Sequence, residues 1–585
     1  MSAMDWFLAA GLLLVSFLPA LAMRRRATSS TAEFFTSGRS APWWLIGVSM
    51  VATTFSTDTP NLVTNLVREG GVAANWAWWA FLLTGMATVF FYARLWRRSG
   101  VLTDLEFYEL RYSGAPARAV RGFRAVYLGL VFNVVILASV NLAAIKIANV
   151  LFGWPSGVTL TVGAVVAVAV ASVAGLWGVL VTDFIQFGIA MTGSVVAAVF
   201  ALRQPEVGGL DGLIARVDPA MLSLLPPTDD WSLLVTVLII PLAVQWWAVW
   251  YPGSEPGGGS YVAQRMLAAR SERDAFQGTL FFTVAHYAVR PWPWILVALA
   301  STLVYPDLAG MARDIPWVDP RLIGHDMAYP AMLRLLPAGW LGLMVAGLTA
   351  AYISTITTQL NWGSSYLVHD GYRRFVAPNR SEQHYVRMGR AATAGLMLVA
   401  ALVTLVLDTA RETFDLLLSV GAGTGLLYLL RWFWWRINAW SEITAMVVSF
   451  LLALGFFVAG KMGHALPSHV TLLLSVGITT VAWVGVTLLT RPADDVTLDR
   501  FYRLIRPAGP GWAPVRARLP DVSPTDGIAN SLLGWGLGCL FVYSALFATG
   551  NLLYGRMETG GVLAGIAVAS GVGLVRVMSK VGDRR

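Results

Sequence analysis

A single cysteine, six histidines and few charges leave this 585-residue chain little of the usual equipment of soluble chemistry. The lone cysteine, Cys539, sits in an apolar run, which excludes an intrachain disulfide. The histidines are scattered without metal-ligand spacing, and most are expected in loops. HExxH, CxxC and nucleophile-elbow patterns are absent, so no catalytic constellation appears and the chain is not read as an enzyme. The stretch GSEPGGGS (253–260) lacks the Lys-Ser/Thr of a phosphate-binding loop and reads as a flexible loop. Charged residues make up only 13% of the chain. Against 56% hydrophobic residues, that excludes an ordinary soluble globule.

What is present is apolar sequence in runs of about 20 residues, the length a helix needs to cross a bilayer. About fifteen such spans are expected, making an all-α polytopic membrane protein with one transmembrane domain over 1–585. The first run (5–23) has no small-residue cleavage site after it and reads as a retained helix. Two groups of five spans follow, at 43–203 and 232–436, and further helices fill 438–578. Spans 157–178 and 181–203 close the first group. The net charge of +9 fits Lys and Arg kept on the cytoplasmic side. Arg24–Arg26, Arg97–Arg124, Arg265–Arg273, Arg373–Arg390, Arg491–Arg518 and the tail Lys580–Arg585 all fall on one side under this count. That places the chain in the cell's inner (plasma) membrane, N-terminus outside and C-terminus in the cytoplasm.

Three spans carry polar residues that lipid would not tolerate cheaply. The second, SMVATTFSTDTPNLVTNLV, holds Asp58, Pro60 and Asn61 near its middle. An ionised Asp at bilayer centre costs about 2.5–3.5 kcal/mol on insertion scales. Pro60 removes a donor and disfavours helical geometry at Thr59, so a broken helix with free carbonyls, lining a protein cavity, is expected. The seventh span is interrupted by Pro241, with Gln245, Trp246 and Trp247 after it. It leads the second group of five as the broken second span leads the first, and an odd number of spans per group inverts one against the other. Paired breaks at matching positions of inverted halves point to a mid-membrane binding site. In the ninth span, AAYISTITTQLN puts Ala351, Ser354, Thr355 and Thr358 on one helix face, with Thr357 beside it. Such a stripe suits Na⁺, or equally bonds back to its own helix and to neighbours. Asp183, Asn133, Asn141 and Lys146 are further intramembrane polar residues, Lys146 being expected to snorkel outward. Trp432–Trp435 reads as an interfacial anchor.

FFTSGRS (34–40), the FSTDTP break, LTDLEFYELRY, TDFIQ from Thr182, YVAQRMLAAR (261–270), AAYISTITTQLN and LLRWFWWRINAWSEI, in this order, resemble the sodium:solute symporter family. Its members include bacterial proline, galactose and sialic acid transporters. The resemblance implies an inverted five-plus-five helix repeat, as in LeuT, with one extra N-terminal helix and about four extra C-terminal ones. It implies a sodium site made by the carbonyls of Ser56, Thr59 and Ala351 and the hydroxyls of Ser354 and Thr355. A second sodium set would be Asp183, Ser354, Thr357 and Thr358. By position, the solute would meet Asp58, Pro60, Asn61, Trp78, Asn133, Asn141 and Gln245–Trp247. The expectation is a sodium-coupled importer of a small polar solute (a sugar, an amino acid such as proline, or a related compound), with Na⁺ as its only cofactor-like ion and no nucleic acid partner. A transporter-like solute sensor, or a proton-coupled or uncoupled carrier of the same fold, is the alternative. A sensor usually adds a long cytoplasmic module, and here the sequence ends a few residues after Val577.

Overall fold

The computed structural model describes residues 1–22, 31–251, 253–405, 407, 410–525 and 527–582. The expected basic residues Arg24–Arg26 and 583–585 lie outside the described residues. Eleven of the described helices are long and apolar enough to cross a membrane, and three shorter ones are also apolar. Together with the helices Ala410–Gly421 and Gly425–Leu430 they fall on the expected spans. The β contacts among the described residues are two isolated bridges, Ala41 with Ala269 and Val249 with Ala422.

The first helix, α1, is Ala3–Ala22. The second span is two helices, α2 (Trp43–Thr54) and α3 (Asp58–Gly70). Then come α4 (Val72–Ser99), α5 (Gly114–Phe152) and the helical run α6 (Ser156–Leu202). At about 1.5 Å per residue, a straight α6 would be far longer than a bilayer is thick. It folds back on itself. Thr159–Gly163 share a cleft with Val345–Tyr352, whereas Asp183 meets Ser354 and Ala190 lies against Gly347. Gly163 lies against Tyr352 and Gly193 against Met344, 30 residues apart in α6 but only eight in α10, so α6 is two arms, Ser156–Ala171 and Leu176–Leu202. The two closing spans of the first group are both there.

The second group is α7 (Trp231–Ala248), α8 (Ser260–Ala268, a short helix outside the spans), α9 (Glu272–Val304), α10 (Trp340–Val376), α11 (Glu382–Thr404) and α12 (Ala410–Gly421). Four long apolar helices follow the repeat among the described residues, at Ala439–Lys461, Ser468–Leu489, Ile528–Leu553 and Met557–Gly582. This is the inverted repeat with one apolar span before it and four after it among the described residues.

Three expectations change. Lys146 does not snorkel: its Nζ bonds the Asp326 carboxylate at 2.6 Å, both side chains buried. A buried ammonium is retained only when paired in this way. Trp432 is core, not anchor; its ring packs 4.8 Å from Trp96 and 4.5 Å from Phe107. The 253–260 stretch is a packed turn rather than a flexible loop. Gly257 and Gly258 hold φ of +78° and +76°, and a Cβ on Gly258 would sit 2.9 Å from Met266. Trp96 donates to the Gly257 carbonyl at 2.8 Å.

On the side of the basic loops, Arg111 joins the two halves. Its guanidinium donates to the Arg431, Trp434 and Trp435 carbonyls at 3.0–3.1 Å and stacks 4.8 Å from Trp512. Nearby, Arg121 pairs with Glu109 and Asp370 at 2.6 and 2.7 Å, and His369 bonds Glu106. Burial works to raise the Glu106 carboxyl, but the His369 bond and the Arg121 charge hold it down to about 2.

Candidate functional site

Helix α2 stops because Phe55 leaves helical geometry (φ −90°, ψ 85°). Helix α3 then starts at Asp58, which places Pro60 in a first turn where a missing N–H costs nothing. The break is thus at Phe55–Thr57, ahead of Thr59, the residue that Pro60 was expected to unwind. Helix α10 lies across it. Thr355 donates its hydroxyl to the Thr53 carbonyl at 2.8 Å, and the Thr358 and Thr53 hydroxyls are 3.2 Å apart. Ser56 buries its hydroxyl with no hydrogen-bond partner, and Thr59 bonds back to the Thr54 carbonyl at 3.2 Å. Ala351 is buried on the same helix as Thr355. An unpartnered buried hydroxyl beside interrupted backbone is a donor set that suits a small hard cation.

The second set gathers around Asp183, on the late arm of α6. Ser354 donates to one carboxylate oxygen at 2.6 Å and Ser49 donates to the other. Arg265, from α8 and fully buried, reaches into the same place. Its guanidinium lies 2.8 Å from the Thr358 hydroxyl, 3.2 Å from that of Ser49 and 3.8 Å from Asp183. Thr357 turns away, bonding the Ser354 carbonyl at 3.1 Å. A protein cation therefore already neutralises Asp183. No cluster of three or more His, Cys, Asp or Glu able to hold a metal occurs among the described residues.

Beside the Thr355–Thr53 contact is a cavity of about 100 Å³. Its wall includes Thr53, Thr54, Ser56, Asp58 and Thr59 from the break, Trp78 and Phe81 from α4, and Thr355 and Gln359 from α10. Tyr251, His286, Tyr287, Arg290 and Phe414 also line it. Of the expected solute residues, Asp58 and Trp78 line this cavity. Pro60 and Asn61 are buried in α3 beyond it. Asn133 donates to the Gln359 carbonyl at 2.8 Å, and Asn141 accepts from Tyr352 at 2.8 Å. Gln245 bonds the Ala77 carbonyl at 2.7 Å, Trp246 packs on Trp535 and Trp247 donates to Ala243. Pro241 does not break α7: the helix passes through it in π-type turns, which leave room for the proline ring, and ends at Ala248. Past Ala248 the backbone is extended and pairs with Ala422, which delivers Tyr251 to the cavity. His286 and Arg290 were missed, although a charged residue inside the apolar 273–304 span is a standing signal of a functional position.

A helical membrane bundle with two inverted halves, a broken helix leading the first and a cavity at that break is the architecture of a secondary transporter. The sequence profile of the sodium:solute symporter family matches residues 34–449, and the chain belongs to that family. It is 24% identical to a sodium/glucose cotransporter of Vibrio parahaemolyticus, covering 74% of this chain and 80% of that one. It is also 24% identical to sodium/glucose cotransporter 1 of Oryctolagus cuniculus, over 84% of this chain and 80% of the relative. The solved structure of a Na⁺-coupled sialic acid symporter in a substrate-bound outward-open state superposes with a TM-score of 0.65 at 18% identity, covering 84% of this chain and 99% of that one. That likeness concerns the fold.

Proposed function

We propose that this chain is a sodium-coupled symporter that imports a small polar organic solute by alternating access. One observation carries the reading: the α10 hydroxyl of Thr355 closes on the Thr53 carbonyl where α2 breaks, in the wall of the cavity. Sodium at Ser56, Thr59, Ala351, Ser354 and Thr355 would tie the broken span to α10 and so shape the solute site. The coupling must be reciprocal, the solute raising sodium affinity by the same factor. Around Asp183, Ser354, Thr357 and Thr358 a second sodium would have to displace Arg265. The charge distribution supports an N-terminus outside and a C-terminus in the cytoplasm, since the Arg111 and Arg121 contacts gather on the basic side. The names of the relatives support a sodium-driven solute.

The test is uptake into proteoliposomes, in sodium and in potassium, with the variant Ser354→Ala/Thr355→Ala. Sodium stimulation should disappear while the variant remains folded and monodisperse. Sodium dependence equal to that of the parent would remove the site assignment.

A further inference from the structure

Arg290 lies at the start of the helical segment Pro291–Val304 and is 1% exposed, yet it lines the solute cavity. Its guanidinium makes only neutral contacts. It donates to the Val51 carbonyl at 3.2 Å and to the Thr54 hydroxyl at 2.9 Å, and stands 3.4 Å from the His286 ring nitrogen. Its Nε has no partner. Among the described residues it forms no ion pair. A buried guanidinium left with neutral acceptors is costly, and a bidentate anion is the partner its fork geometry fits best. Across the same cavity is one carboxylate, Asp58. A purely anionic solute would be repelled by Asp58, and a neutral one would leave Arg290 with no carboxylate in contact. The rest of the wall mixes aromatic rings such as Trp78, Tyr251 and Tyr287 with Ser and Thr hydroxyls and aliphatic side chains, which suits the uncharged body of a small molecule.

We propose that the solute is a zwitterion of the amino-acid class, its carboxylate held by Arg290 and its ammonium by Asp58. This rests on the transporter reading above and names the substrate class of that same cavity.

The experiment is thermal stabilisation of the purified full-length protein, in NaCl and in KCl. The probes are the proteinogenic L-amino acids and glycine betaine, with the corresponding decarboxylated amines and amino-acid methyl esters, short hydroxy acids, and neutral hexoses. A zwitterion should stabilise the protein, and its amine and methyl ester should not. Arg290→Gln and Asp58→Asn should each weaken that ligand by about tenfold or more, the loss of a charge-assisted contact. If Arg290→Gln fails to fold, the acid-against-ester comparison on the parent protein decides alone. Stabilisation by hexoses or hydroxy acids only, equal binding of acid and ester, or no effect of any zwitterion in either salt would overturn the proposal. Equal stabilisation by a zwitterion in both salts would leave it standing and remove sodium coupling instead.

Discussion

At the scale of single residues, two buried charges make predictions of their own. Arg265 is the cation that answers Asp183, so uptake by the parent protein should depend hyperbolically on sodium. Arg265→Gln removes the resident charge and leaves Asp183 in need of another. The sodium dependence of uptake should then turn sigmoidal; an unchanged curve would mean that Arg265 is only structural. Glu255 accepts a hydrogen bond from Ser260 and buries its second oxygen without a partner. Burial pushes this carboxyl up to about 8. Because its folded pKa lies above the unfolded one, its contribution to stability is complete at acid pH and is lost as pH rises through about 8. Glu255→Gln keeps the neutral form at every pH. Its melting temperature should match the parent near pH 5 and exceed it near pH 9. A kcal/mol shifts Tm by about 2–4 °C in domains of 150–250 residues, so in a longer chain the gain should be a few degrees or less.

At the scale of elements, much of the site could be read from residue types alone. The spacing in α10 put its hydroxyls on one face; Thr355 and Thr358 meet Thr53 at the end of α2, whereas Ser354 meets Asp183. The position of the break was less legible. Proline acts on the residue before it, but a helix start accommodates proline freely, so the chain interrupts at Phe55–Thr57 and lets Pro60 sit in the next first turn. Periodicity also could not tell which residues of the seventh span reach the cavity. Gln245 to Trp247 looked eligible, whereas the extended backbone after Ala248 carries Tyr251 there instead. The glycines at 257 and 258 read as looseness, yet their positive φ values serve close packing against Trp96, Thr88 and Met266. Lys146 was judged by its depth in the span, and depth cannot reveal Asp326, which is 180 residues away in sequence.

At the scale of the whole molecule, the helical architecture followed from span lengths and the break in the second span, because bilayer thickness and backbone satisfaction leave few alternatives. The closures that span distant segments did not. Arg111 ties the first half to the end of the second, and Trp512 from the segment after the repeat covers it. Arg111→Ala should loosen this face. Cysteine-reactive labelling of a reporter placed at Tyr108 in such a variant should speed up relative to the parent, and equal rates would show that the face is held by packing alone.

The same clasp has a thermal consequence. If this face opens once in each turnover, three charge-assisted bonds must part together, each worth about 1.5–3 kcal/mol. Much of the barrier to that step would then be enthalpic. On cooling, transport should stall well before ligand binding weakens, leaving a protein that still holds its cargo and no longer delivers it.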